Sequence, residues 1–268
     1  MARELRRLLI PPARLEAAAR NGPERAGITL ALEPDEVHYL GRVLRLRHGD
    51  RLDVIHGEGA RWTASLASPA LLQLEQPLDQ PLERADPPSP AITLAMAVPK
   101  RDAELVWRMA TELGATRLQP LLASRGVVRG GLPLERWRTI VREATEQCER
   151  LWMPHLADPV EAREWFRTPA AGPSLLATTR QEGLASLPDL LPNLLRGLPQ
   201  DRSGERGDAR PGELRLAIGP EGGWCAEEEA AAIGAGWQPV SLGSAILRTS
   251  TAAVAGLAWL ALGAGRED

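Results

Sequence analysis

Two short stretches near the C-terminal end carry the residue types best suited to gripping a ligand. In the first, Leu214-Arg215-Leu216-Ala217-Ile218 runs into Gly219-Pro220-Glu221-Gly222-Gly223; in the second, Ser241-Leu242-Gly243 runs into Ile246-Leu247-Arg248-Thr249. Leu214, Leu216 and Ile218 alternate at strand spacing, and three glycines then fall within five residues around a φ-fixing proline. A loop of that kind has little side-chain bulk, so main-chain N–H and C=O groups can be brought directly against a ligand. Two such loops at strand ends of one α/β unit would form a crevice at the carboxyl edge of a sheet. Either loop alone is equally consistent with an ordinary tight turn.

The elements that must hold these loops follow a strand–helix alternation from residue 91 onward. Ile92 to Val98 reads as a strand, Asp102 as the cap of a helix to Leu113, and Leu118 to Leu122 as the next strand. Leu105, Val106, Met109, Ala110 and Leu113 make that helix's apolar face, and Gly114 stops it. A helix over about 134–150 turns Trp137, Ile140, Val141 and Ala144 inward, and 175–177 is another strand. Cys225-Ala226-Glu227-Glu228-Glu229 opens a helix whose first-turn acids complement its dipole. The last helix, about 251–262, begins at a Thr249 or Ser250 cap and is apolar on every side. The alternation predicts a mostly parallel sheet with helices on its faces.

The first part of the chain reads differently. Residues 1–76 form one unit of short strands with one helix: 7–10 extended, 37–44 helical, then 52–55 paired with 62–66 across Gly57-Glu58-Gly59. The helix sets Val37, Leu40, Val43 and Leu44 against His38, Arg42 and Arg45, with Arg47 and His48 continuing the basic side. Residues 1–72 hold eleven arginines and nine acidic residues, a net of +2 in a chain of net charge −3. That basic side is a solvated face or an RNA contact. A Pro- and Asp-rich linker covers 77–90, the second domain 91–268, and an aperiodic Gly/Pro/Arg stretch near 192–212 reads as a flexible insertion.

Composition removes several function classes. The negative net charge argues against a protein that coats nucleic acid indiscriminately. Cys148 and Cys225 lack a CxxC partner and the four histidines are scattered, so no metal site or disulfide framework is expected. No apolar run approaches the ~18 residues of a membrane span, and Met1-Ala2-Arg3-Glu4-Leu5 leads into a strand rather than a signal sequence, which predicts a cytoplasmic protein. A phosphate-gripping nucleotide enzyme is disfavoured, since the Gly-x-x-x-x-Gly-Lys-Ser/Thr pattern is absent and the chain's one lysine, Lys100, follows neither loop.

Taken in order, His38, Val43-Leu44-Arg45, Gly49-Asp50, Pro99-Lys100, Thr111-Glu112-Leu113-Gly114, Pro120, Glu146-Gln147-Cys148, Arg150, Pro154 and the two glycine loops resemble one family. It is that of the RsmE-type ribosomal RNA small-subunit uridine-N3 methyltransferases of the SPOUT superfamily. The resemblance implies an α/β protein: a C-terminal SPOUT domain with a trefoil knot and a parallel sheet, and a small N-terminal PUA/OB-like β-barrel for RNA. It implies S-adenosyl-L-methionine as cofactor, held by Ile218, Gly219, Pro220, Gly222, Gly223, Ser241, Leu242, Gly243, Ile246, Leu247 and Arg248. It also implies methylation of uridine N3 in small-subunit ribosomal RNA, and a homodimer with a shared active site.

Within that frame Arg248 stabilises charge on the uracil carbonyl oxygens, or else pairs with Glu221 or a helix carboxylate. Glu221 is a proton acceptor or a loop brace. Arg150 is the third catalytic candidate, and Glu146 four residues before it could make a surface pair worth ~0.3–0.5 kcal/mol. Arg42, Arg45, Arg47, Lys100 and Arg125 are the RNA-binding candidates, while Trp107, Trp137 and Trp152 stack on bases or pack in a core. The chain departs from the family pattern at Ala245 (usually Arg), Ser250 (usually Glu), Met109 (usually basic) and Ser124 (usually acidic). The rival reading is therefore an RNA-binding protein of the same fold with weakened or lost methyltransferase activity.

Overall fold

The computed structural model describes residues 5–21, 28–128, 130–179, 181, 183–198 and 212–264. They fall into two compact units, Met1–Pro87 with Thr145–Met153, and Pro88–Ala144 with Pro154–Asp268.

The first unit is built on β1 (Arg7–Leu9), α1 (Pro12–Asn21), β2 (Thr29–Ala31), α2 (Pro34–His38), β3 (Arg51–Ile55), β4 (Ala60–Ser68), β5 (Leu71–Leu74) and β6 (Glu83–Arg84). Its six strands run in the order β1-β3-β4-β5-β2, with β6 on β4; β1 pairs parallel to β3 and the other pairs are antiparallel. The register sets Leu52 opposite Ala64 and Val54 opposite Trp62, so alternate residues enter one core with Leu8, Leu30, Leu40 and Leu72. Gly57 and Gly59, both at φ near +80 to +90°, turn the chain between the paired strands.

Two expectations change here. Val43 points outward, 59% exposed, because a π-helical turn over Tyr39–Val43 follows α2. Leu44 N–H donates to Tyr39 C=O, and this wider turn rotates Leu44, not Val43, toward the core. The second change concerns Thr145–Met153, which the linear division of the chain places in the second domain but whose contacts lie in the first unit. Leu9 N–H donates to Glu146 Oε1 at 2.8 Å, Gly59 N–H to Leu151 C=O at 2.8 Å, and Leu151 packs with Leu9 and Ile55. Glu146 thus braces a strand N–H, a role the sequence reading did not give it.

The second unit comprises β7 (Ala91–Ala97), α3 (Ala103–Glu112), β8 (Arg117–Leu122), α4 (Leu134–Gln147, whose last three residues belong to the first unit), β9 (His155–Leu156), β10 (Val160–Glu161), α5 (Ala162–Phe166), β11 (Ser174–Ala177), α6 (Leu187–Arg196), β12 (Glu213–Ile218), α7 (Ala226–Gly234), β13 (Gln238–Val240) and α8 (Thr249–Ala264). All seven strands are parallel, in the order β10-β8-β7-β12-β11-β13 with β9 on β8. Alternation along the strands sorts the core into two layers. Ile92, Leu94, Met96, Leu214, Leu216 and Ile218 face a cluster that includes residues of α3, α6 and α8. Ala95, Ala97 and Ala217 face the other side, where their small side chains leave room for Trp165, Phe166, Trp224 and Trp237. These rings meet edge-on or tilted at 5.1–5.2 Å between centroids, a favoured aromatic geometry.

Several helix details depart from the sequence reading. In α3 the inward residues are Val106, Trp107 and Ala110, with Leu105 43% exposed, and Trp107 packs on Trp137. Asp102 precedes α3 in a left-handed conformation, and its side chain makes no capping hydrogen bond. Residues 192–196 are helical, because Leu187, Leu190, Leu191, Leu194 and Leu195 form a stripe that docks on the core despite Pro192; residues 199–211 of the expected insertion lie outside the described residues. The aromatic layer gives a direct stability test. Phe166→Ala, at a fully buried site, should lower the unfolding free energy by about 3–5 kcal/mol in urea titrations, and a loss below about 1 kcal/mol would contradict this packing.

Candidate functional site

In a parallel sheet every strand ends at the same edge, and in the second unit that edge gathers the loops singled out by sequence. β12 ends at Ile218 and leads into 219–224; β13 ends at Val240 and leads into 241–248. β8 and β11 contribute 123–126 and Thr178.

The two glycine loops are joined directly. Thr249, 2% exposed, donates its hydroxyl to the Gly219 carbonyl at 2.8 Å, so the first residue of α8 is fastened to the end of β12. On the other flank, Ser241 N–H donates to Ala185 C=O and Leu187 N–H to Ser241 C=O, both at 2.9 Å, threading the second loop beside the start of α6. The Ser241 hydroxyl accepts from Gly243 N–H at 3.2 Å and tightens the bend there. At Gly256 a Cβ would meet Leu216 Cδ2 at 2.6 Å and Leu242 Cδ2 at 3.4 Å, so glycine at this point lets α8 approach both β12 and the second loop closely.

The first loop is clamped from below by charge. Glu228, 1% exposed, accepts Ser124 N–H at Oε1 (2.7 Å) and Cys225 N–H at Oε2 (2.9 Å). The second of these closes a capping box at the start of α7. Arg125 donates to Gly222 C=O at 3.2 Å and to Trp224 C=O at 2.9 Å. Trp224 Nε1–H donates to Ala177 C=O, and Glu229 accepts the Thr178 hydroxyl. Arg125 thus braces the glycine loop, a geometry that its place among the RNA-binding candidates did not anticipate. Neither Glu228 nor Trp224 was singled out from sequence. The run Glu227-Glu228-Glu229 carried a signal, since one acid three residues after the cap position is the spacing of a capping box.

The glycines divide their tasks. Gly223 sits at φ +71° and Gly243 at φ +133°, conformations that disfavour any Cβ, whereas Gly222 is crowded by Arg125 Cβ at 3.3 Å without a left-handed backbone. Gly219 would press a Cβ against the Trp224 indole at 3.1 Å.

The surface around these loops is partly apolar. Residues 243–246 are exposed, Ile246 by 64%, with Leu242 and Leu247 half-buried beside them. The main-chain N–H and C=O groups of 244–247 make no hydrogen bond among the described residues, leaving donors and acceptors facing outward. Ile218 and Pro220 are buried and set the loop's base. Ala245 is exposed and Ser250, in the first turn of α8, half-buried, so Arg248 is the one charged side chain of the 241–248 loop.

Arg248 and Glu221 are both exposed, and neither enters an ion pair or side-chain hydrogen bond among the described residues. The suggested Arg248–Glu221 pair is therefore not formed. Lys100 is exposed three residues past the end of β7. Arg150 belongs to the Thr145–Met153 segment of the first unit, where it is half-buried and desolvation lowers its pKa. Arg42, Arg45 and Arg47 are exposed in that same unit. Trp107 and Trp137 are buried, and Trp152 is held by an Nε1–H bond to Ala85 C=O at 3.1 Å. No group of three potential metal ligands occurs among the described residues, and no described helix is long and apolar enough to cross a membrane.

Comparison with known proteins agrees with this geometry. A model of the RNA methyltransferase domain matches residues 87–261, and one of the RNA methyltransferase PUA domain matches 32–73. Ribosomal RNA small subunit methyltransferase E of Synechocystis sp. is 42% identical over 232 residues, spanning 86% of this chain and 72% of that protein. The protein of the same name in Mycobacterium bovis is 32% identical over 252 residues, 90% and 89% of the two chains. Among solved structures, ribosomal RNA small subunit methyltransferase E of Neisseria gonorrhoeae bound to S-adenosyl methionine superimposes with a TM-score of 0.68 at 28% identity over 95% of this chain and 96% of that one. A Legionella pneumophila methyltransferase solved with bound SAM gives 0.74 at 27% identity, over 96% and 97%. With a family match across most of its length and a relative 42% identical, the chain belongs to the RNA methyltransferase family, among the proteins named ribosomal RNA small subunit methyltransferase E, with a SPOUT-type α/β fold and a PUA-like N-terminal unit.

Proposed function

We propose that this protein transfers the methyl group of S-adenosylmethionine to N3 of one uridine in small-subunit ribosomal RNA, in the cytoplasm. The observation that carries the reading is the pair of glycine loops fastened by Thr249 to Gly219, with unpaired main-chain groups at 244–247 and an unpaired Arg248 beside them. The cofactor-binding set is 218–220, 222–223, 241–243 and 246–248, with main-chain groups meeting its polar atoms and Leu242, Ile246 and Leu247 its apolar face. Bound S-adenosylmethionine supplies an electrophilic methyl group and leaves as a neutral thioether.

The chain's own contribution is alignment and charge. Uridine N3 must lose its proton as its bond to the methyl carbon forms, and the resulting negative charge spreads onto the uracil carbonyl oxygens. Arg248, free of any carboxylate, offers a planar guanidinium to those oxygens. Glu221, exposed on the loop fastened to the start of α8, takes the N3 proton in this reading. Holding the donor and acceptor in line supplies much of the acceleration in this reading, and the buried Glu228 carboxylate and the exposed Arg125 guanidinium, which brace the loop, serve that end. In this reading 1–76 forms the RNA-binding domain, 77–90 the linker and 91–268, apart from the 145–153 segment that joins the first unit, the transferase domain; Arg42, Arg45, Arg47, Lys100 and Arg150 contact RNA, and Arg125 acts through the loop it braces.

The working form in this reading is a homodimer sharing its active sites. Trp259 (46% exposed) and Leu262 (68%) project from α8, and Leu105 from α3, against which α8 packs. Apolar side chains of that size on adjoining helices favour a symmetric cover.

Three outcomes follow. Gly223→Val, a β-branched residue at a left-handed position, should abolish S-adenosylmethionine binding in calorimetry while the protein still melts cooperatively; unchanged affinity would remove this loop from the site. Arg248→Ala should lower kcat by about a hundredfold with cofactor affinity unchanged, and a loss of affinity with kcat unchanged would assign it to binding alone. Sedimentation at low micromolar concentration should give a dimer that Leu262→Glu dissociates; a monomer with full activity would rule out a shared site.

A further inference from the structure

The N-terminal unit carries a groove of about 420 Å³ that the methyl-transfer site does not use. Val37, Leu46 and Leu66 form its apolar floor, Pro34 closes one end, and His38 and Arg42 stand at its rim with Gly41 between them. The volume lies within the range of small-ligand pockets. The chain beside it is bent in two unusual ways: a π-helical turn over Tyr39–Val43, and Arg45 at φ +58°. Interruptions of both kinds are costly and cluster where a protein meets a ligand.

Charge indicates what that ligand is. Arg7, Arg14, Arg51 and Arg61 of the same unit each pair with a carboxylate. Arg42, Arg45 and Arg47 are exposed and form no side-chain bond among the described residues; the neighbouring Asp50 carboxylate accepts the Arg47 main-chain N–H at 2.7 Å. One uncommitted guanidinium on the groove, Arg42, and two more on the residues either side of its lining Leu46 match a chain of phosphates with a flat, weakly polar group between them. We infer that the groove receives one unstacked base of single-stranded RNA, stacked against His38 over the Val37–Leu46–Leu66 floor, while Arg42, Arg45 and Arg47 meet the flanking phosphates. The inference rests on the RNA reading of this unit and adds to it a preference for unpaired nucleotides.

Gly41 makes the test possible. Gly41 lines the groove, a Cβ there meets nothing within 4 Å and the backbone is not left-handed, so Gly41→Leu adds bulk at the groove with no clash at Cβ. Binding is measured to oligouridylate and to the same oligomer carrying abasic riboses throughout. The full-length protein should favour the base-bearing RNA by about tenfold. Gly41→Leu should remove that preference while leaving the salt dependence intact, and His38→Ala, an exposed change, should reduce it if the Leu variant misfolds. Changing Arg42, Arg45 and Arg47 together to Ala should instead weaken both RNAs and flatten the salt dependence. If the full-length protein ignores the bases, or if Gly41→Leu and His38→Ala keep the preference while the arginine variant loses affinity, the groove is not a base site and the RNA reading stands. If the arginine variant also binds unchanged, the RNA reading of this unit falls with it.

Discussion

The hydrogen bond from the Thr249 hydroxyl to the Gly219 carbonyl, between residues thirty apart in sequence, fastens the two glycine loops to each other. Its donor is buried, so breaking it would leave the Thr249 hydroxyl desolvated without a partner. Everything around it works to the same end. Gly256 lets α8 descend onto β12 and Leu242, and Arg125 and the buried Glu228 carboxylate hold the 219–225 loop from the side of β8. The polar side chains in this assembly act largely on the main chain, and Arg248 and Glu221 stay unpaired among the described residues. A methyl transferase that works by alignment needs that division: rigid main chain to hold the methyl donor, and free charge to meet the acceptor.

The sheet that carries the loops shows why this unit tolerates so much functional exposure at one edge. β7 and β12, at its centre, put large aliphatic residues on one face and alanines on the other. The alanines receive four aromatic side chains from α5, the 219–225 loop and the turn before β13, so Trp224 belongs at once to the core and to the glycine loop. Stability and site geometry therefore share a residue.

Much of this was legible in the sequence because it follows local periodicity. The β/α alternation, the glycine loops and the pairing of 52–55 with 62–66 all appeared at the expected places. What escaped had non-local or conformational causes. The segment 145–153 reads as the end of a helix, yet its contacts are with strands more than eighty residues earlier. Arg125 reads as a surface cation, and only the folded loop shows the carbonyls of Gly222 and Trp224 in front of it. Val43 fits a helical stripe until a π turn shifts the phase, and composition does not reveal which glycine takes positive φ. The family resemblance supplied the cofactor and substrate classes, which periodicity alone does not carry.

The most direct measurement of the central claim is methyl transfer from labelled S-adenosylmethionine to small ribosomal subunits that lack the modification, followed by nucleoside analysis of the RNA. The account predicts one labelled product, N3-methyluridine, formed at a single position and lost with Arg248→Ala. Label in another nucleoside, or no transfer by a protein that binds the cofactor, would contradict it.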